Sequence, residues 1–253
     1  MKIKEVMSKP VVVDKSDRIS EALDLMDKYH VRRLIVRHAG QVTGIVSLGS
    51  ICESLGSRRK YNHPPSLFHV ADAISNSFAI LGPEDDLLKA IQALKEIDSV
   101  VVVEGGVIGA VTTADVIRHL APDGPVASIM KTPLIAPPDA RMSFIRRLMM
   151  EKGISRMPIM DGDTLVGIVS ETDVATAMRG VKRRSSQTHQ DNNVERMIAM
   201  DIMRADVITV KPDTPIREAA RLMTDRGIGA LPVLDDERRL VGIVTRRDIV
   251  RAI

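Results

Sequence analysis

The chain has 253 residues, of which 44% are hydrophobic, enough for one or two ordinary cores. Its 36 basic and 33 acidic residues leave a net charge of +3, too mild an excess to identify an anionic partner by itself. Aromatic residues are only 2% and Trp is absent, which argues against a stacking platform for single-stranded nucleic acid. No stretch approaches the ~18 apolar residues of a membrane span, and the start "MKIKEVMSKP" lacks the apolar core of a secretory signal, so a cytoplasmic location is expected.

In chain order, "VVVD" reads as a strand, and Ile19, Ala22, Leu23, Leu25 and Met26 then recur at helical spacing. Two further strands follow, ending in "TGIVSLGS" at 43–50. The lone Cys52 beyond it can form neither an internal disulfide nor a zinc site alone, and reads as a small buried hydrophobe. A basic, turn-rich stretch, "GSRRKYNHPP" at 56–65, separates this unit from a shorter one ending in "IGAVTTAD" at 108–115. The third unit ends in "VGIVSETD" at 166–173, and a second basic stretch, "RGVKRRSSQTH", follows at 179–189. The fourth begins with "VITV", read as a strand, continues through Ile216, Ala219, Ala220, Leu222 and Met223, and closes on "VGIVTRRD" at 241–248.

The phrases are copies of one repeat. From the helix Met to the phrase Gly the distance is 18 residues in the first unit (Met26 to Gly44) and in the third (Met149 to Gly167), and 19 in the fourth (Met223 to Gly242). The extra residue falls in a turn, where length varies at least cost. The phrase glycines are 65, 58 and 75 residues apart, which argues for two pairs rather than an even solenoid.

The end of each phrase has two physical readings. Ser or Thr followed three residues later by Asp is a helix N-terminal cap. The same turn can hold a nucleotide, because a carboxylate there accepts both ribose hydroxyls and the helix N-terminus attracts phosphate. The first unit departs from the pattern, since Ser50 stands in the place of the Asp and cannot supply its paired acceptors.

The strand-helix-strand-strand-helix unit ending in Gly-x-x-Thr/Ser-x-x-Asp resembles the CBS domain, and four copies cover nearly the whole chain. The arrangement is similar to the gamma subunit of AMP-activated kinase and to stand-alone archaeal and bacterial four-CBS proteins. The resemblance implies an α/β (α+β) fold with CBS domains at 1–56, 66–121, 126–179 and 198–253. These pair into Bateman modules at 1–121 and 126–253 that together form a disc. It implies further that Asp115, Asp173 and Asp248 bind ribose with Thr112, Ser170 and Thr245 as hydroxyl partners. Arg32, Arg33, Arg156, Arg246 and Arg247 are the corresponding phosphate candidates. Ile135 and Ile154, facing Asp248, and Ile208 and Ile228, facing Asp173, are the adenine candidates, although each also reads as ordinary core.

The implied function is that of a regulatory sensor rather than an enzyme. An adenine nucleotide (AMP, ADP or ATP) is the expected regulatory ligand, no cofactor is required, and the signal passes to a regulated protein that the sequence does not name. No metal-like spacing links His30, His38, His63, His69, His119 and His189, and no nucleophile-base pair emerges. Two alternatives stay open: an S-adenosylmethionine-type ligand, which shares the ribose, and nucleic-acid binding through the two basic stretches. Either a monomeric disc or a homodimer satisfies the repeat.

Overall fold

The computed structural model describes residues 1–55, 67–184 and 196–253, with side chains from 179 to 184 left aside. The first unit runs β1 (Val12–Asp14), α1 (Ile19–Tyr29), β2 (Arg33–His38), β3 (Gln41–Ser47) and α2 (Leu48–Leu55). The second runs β4 (Phe78–Leu81), α3 (Leu87–Leu94), β5 (Ser99–Val103), β6 (Val107–Val111) and α4 (Thr113–His119). The third has α5 (Met142–Lys152), β7 (Arg156–Asp161), β8 (Thr164–Ser170) and α6 (Glu171–Arg184). After a short helix, α7 (Ala199–Ile202), the fourth has α8 (Ile216–Asp225), β9 (Ala230–Leu234), β10 (Leu240–Thr245) and α9 (Arg246–Ala252).

The apolar stripes read from the sequence face inward. Ile19, Ala22, Leu23 and Met26 are buried in α1, as are Ile216, Ala219, Ala220 and Met223 in α8. Cys52 is buried as expected, and burial pushes its thiol up to about 12.

The expected first strand is present in two units and absent as a strand in the others. β1 and β4 pair in parallel with β2 and β5, whereas "VITV" contributes only one bridge, Val210 to Val233, and the third unit only Ala136 to Ile159. Proline explains the difference. The central strand offers the amide of Ile35 to Val11 in the first unit, but Pro158 and Pro232 occupy the matching register and have no N–H to donate.

Each unit lends its N-terminal segment to its paired unit. Ser8 exchanges two backbone hydrogen bonds with Ala110, Ser75 with Ile45, Lys131 with Ile243, and Arg204 with Ile168. This crossing accounts for the phrase glycine. A Cβ on Gly109, Gly167 or Gly242 would lie within 3.0 Å of Met7, Met203 or Met130 respectively, and one on Gly44 would meet Ile74. The glycine therefore provides the close approach that lets the exchanged segment lie on the strand.

Ile35, Ile45 and Val101 form a core between the first and second sheets. The two larger cores run the other way: one joins the first and third units through α2 and α6, the other joins the second and fourth through α4 and α9. All four phrases consequently converge on one region.

Candidate functional site

At that convergence lies a cavity of about 940 Å³, within the usual size range of ligand pockets. Its lining draws on all four units: Arg32, Arg33 and Gly49 from the first, Asp98 and Thr113 from the second, Ile154, Arg156, Ser170 and Glu171 from the third, and Gly229 with 245–248 from the fourth.

The phrase ends share one geometry. Thr245 donates from its backbone N–H (2.9 Å) and hydroxyl (2.6 Å) to Oδ2 of Asp248, whose own N–H reaches back to the Thr245 hydroxyl. Asp173 accepts from Ser170 in the same way at 2.8 and 2.5 Å, and Asp115 from Thr112 at 2.8 and 2.7 Å. In the first unit Ser50 Oγ takes over the capping role, accepting the Ser47 N–H at 2.9 Å, while the Ser50 N–H returns to the Ser47 hydroxyl at 3.0 Å. The helix cap thus uses one oxygen, and a carboxylate has a second.

That second oxygen meets a cation from an exchanged segment in two units. Lys131 pairs with Oδ1 of Asp248, and the Arg204 Nε donates to Oδ1 of Asp173 at 3.1 Å. Asp248 and Asp115 are buried at 5% exposure each, so their charges are only weakly screened by water.

Arg32, Arg33, Arg156, Arg246 and Arg247 all line the cavity. Burial, then Arg32, then Arg246 push Arg156 down to about 9, and burial followed by Arg32 pushes Arg246 down to about 10. Burial, then Arg33 and Arg204, likewise lowers Arg32. All three remain cationic at neutral pH and repel one another. Arg33 and Arg247 both donate to Oδ1 of Asp98, at 3.1 and 2.9 Å, while Arg246 donates to the Met223 carbonyl at 3.0 Å and Arg32 to the Gly227 carbonyl at 3.3 Å. Among the described residues, the Nε groups of Arg33 and Arg246 are buried donors without a hydrogen-bond partner. Unused buried guanidinium donors among like charges are suited to an incoming anion.

Ile154 shares the cavity lining with Thr245 and Asp248. Ile135 is 52% exposed and is not part of that lining, where Leu134 stands instead. Ile208 and Ile228 pack against the core of the second and fourth units. Asp98, Glu171, Lys131 and Arg204 are components that sequence reasoning missed. Lys131 and Arg204 each follow the Met that covers a phrase glycine, so extending the repeat upstream would have found them. Of the two basic stretches, 56–65 lies outside the described residues, as does 185–189, which leaves the nucleic-acid alternative without a described surface. No helix among the described residues is long and apolar enough to cross a membrane.

Four repeated units, exchanged N-terminal segments and paired sheets around one basic cavity define the CBS-repeat class. The family model for the CBS domain matches residues 3–57, 70–122, 126–180 and 198–253, and the chain belongs to that family. It is similar to protein MJ1225 of Methanocaldococcus jannaschii, with 29% identity over 96% of this chain and 95% of that one. The crystal structure of MJ1225, described as a candidate archaeal homologue of g-AMPK, superposes with a TM-score of 0.85 and 26% identity over 100% of this chain and 99% of that chain. An inosine-5'-monophosphate dehydrogenase of Korarchaeum cryptofilum is 34% identical over 48% of this chain but only 22% of its own length. What that enzyme shares with this chain is a minor part of it.

Proposed function

We propose that this protein is a regulatory sensor that binds an adenine nucleotide, AMP, ADP or ATP, and signals to a regulated protein through the packing of its modules. Asp115, Asp173 and Asp248 receive ribose hydroxyls, with Thr112, Ser170 and Thr245 beside them. Arg32, Arg33, Arg156, Arg246 and Arg247 receive phosphate, and Ile154, which precedes β7, borders the base. The observation that carries this reading is the pair of unpartnered guanidinium nitrogens on Arg33 and Arg246, buried in a cavity that Thr245 and Asp248 also line. A sulfonium ligand meets repulsion in such a place, whereas a phosphate relieves the mutual repulsion of the arginines.

The exchanged segments offer a route for the signal. Oδ1 of Asp248 and of Asp173 is held by Lys131 and Arg204, which belong to the N-terminal segments of the third and fourth units. A ribose that claims Oδ1 must displace these cations, so ligand binding and the docking of the exchanged segment compete for one oxygen. The ligand shifts module packing only by its differential affinity for the two arrangements.

Thermal melting with AMP, ADP, ATP and S-adenosylmethionine tests the proposal. At ~100 times its Kd an adenine nucleotide should add about 2.7 kcal/mol per site. A stabilisation by S-adenosylmethionine alone, or by none of the four, contradicts it.

A further inference from the structure

The repeat varies in charge at two positions that face the cavity. The residue after the phrase Ser or Thr is Leu48, Thr113, Glu171 and Arg246 in the four units: apolar, neutral, acidic and basic. At the entry to the central strand the corresponding residues are Arg32, Asp98, Ser155 and Gly229. The fold tolerates any of these side chains there, so their charges are free to be set by what the cavity holds.

Asp98 and Glu171 are placed as anions would be. One oxygen of Asp98 accepts from both Arg33 and Arg247, bridging two guanidinium groups as a phosphate oxygen does. The Glu171 carboxyl crosses from the third unit to the first turn of α2, with its oxygens 3.0 and 3.2 Å from where a Cβ on Gly49 would stand. That turn belongs to the unit whose own acid is replaced by Ser50. Glu171 is partly buried, and burial raises its pKa against the opposing pull of Arg156 and Arg33. Seven cationic and five acidic side chains line the cavity in all, an excess of two positive charges that balances a monophosphate dianion and falls short of a triphosphate.

We propose that Asp98 and Glu171 are resident anions of the phosphate centre and that they set its preference for nucleotides of low charge, AMP over ATP. The proposal rests on the nucleotide reading above and names the determinant of selectivity within it. Neither carboxylate needs to touch the ligand. Asp98 occupies guanidinium capacity on Arg33 and Arg247, and each carboxylate adds repulsion that grows with the number of phosphates.

The test compares Glu171→Gln and Asp98→Asn with the wild-type chain at one ionic strength. Affinities for AMP, ADP, ATP and inorganic tripolyphosphate are measured by titration calorimetry, with thermal melting as the check on folding. Either substitution should raise the ATP-to-AMP affinity ratio by about tenfold, with ADP intermediate and tripolyphosphate tightening in parallel. Reading a ratio within each variant cancels any general loss of stability, and Glu171→Gln keeps the side-chain shape. An ATP-to-AMP ratio unchanged in both variants overturns the proposal, as does a wild-type chain that binds neither nucleotide nor tripolyphosphate. Binding of tripolyphosphate without any nucleotide, tightened by Glu171→Gln, sustains the charge assignment and contradicts the nucleotide function instead.

Discussion

The fourth and first units close their phrases on the same backbone with different chemistry. In both, the residue three beyond the Ser or Thr accepts that residue's N–H at 2.9 Å, yet one acceptor is Asp248 and the other Ser50. A hydroxyl is therefore sufficient to begin the helix. The carboxylates at Asp173 and Asp248 supply something capping does not need, a second oxygen that meets Arg204 and Lys131 rather than the cap. Around Asp248 that oxygen has Lys131, Thr132, Ile154 and Arg156 in the same cavity lining. Around Ser50 the positions aligned with Lys131, Thr132, Ile154 and Arg156 are Ser75, Asn76, Ile97 and Ser99, and Glu171 lies against the helix start. The contrast separates, within one short phrase, the oxygen that caps a helix from a second oxygen that capping does not use.

Truncating both residues should give the largest difference between the two units. Asp248→Ala should weaken nucleotide binding at its cleft by about 100-fold, since two hydrogen bonds to a charged group are lost, while Ser50→Ala should leave affinity unchanged. Each should cost about 1 kcal/mol of stability in denaturant titrations, the value of a cap. Equal binding losses, or none in either, would erase the distinction.

Arg156→Met should lower AMP affinity about 30-fold by calorimetry without lowering the melting temperature of the ligand-free chain, because a charge that burial and its neighbours disfavour is removed. A chain destabilised by that change would mean that the arginine cluster is structural. Gly242→Ala places a Cβ against Met130 and should cost about 1–3 kcal/mol in the same denaturant titration. The loss should be accompanied by amide-exchange opening of the 125–133 segment. The smallest effect concerns the end of the first helix in these units. His30 has φ 53° where Gly153 and Gly227 have 61° and 64°, so His30→Gly should stabilise the first unit by up to about 1 kcal/mol.

Much of the fold was legible because it follows local periodicity. The buried stripes of α1 and α8, the strand pairs ending in the phrases and the four-unit count come from residue spacing alone. The first strands of the third and fourth units were legible in principle, since Pro158 and Pro232 remove the donors a parallel partner needs, but the prolines lie some 20 residues from the strands they shorten. The exchanged segments carry a recurring Met at 7, 130 and 203, but their exchange was not legible, because Ser8 meets Ala110 and Lys131 meets Ile243 through contacts between distant parts of the chain.

The candidate site divides in the same manner. Carboxylates and hydroxyls three residues apart are visible on a helix start, and aligned arginines are visible by register. Asp98 and Glu171 acquire meaning only from the arginines that other units bring beside them, so their roles come from assembly rather than from sequence neighbours.

In the proposed function one cleft holds both the ribose and the phosphate of an adenine nucleotide. A crystal structure of the chain with AMP tests it most directly. Ribose hydroxyls are expected on Oδ1 of Asp248 in place of Lys131, and the phosphate among Arg156, Arg33 and Arg246 with the Nε donors of Arg33 and Arg246 engaged. A nucleotide whose phosphate points to solvent, or a cavity without AMP at saturating concentration, would contradict it.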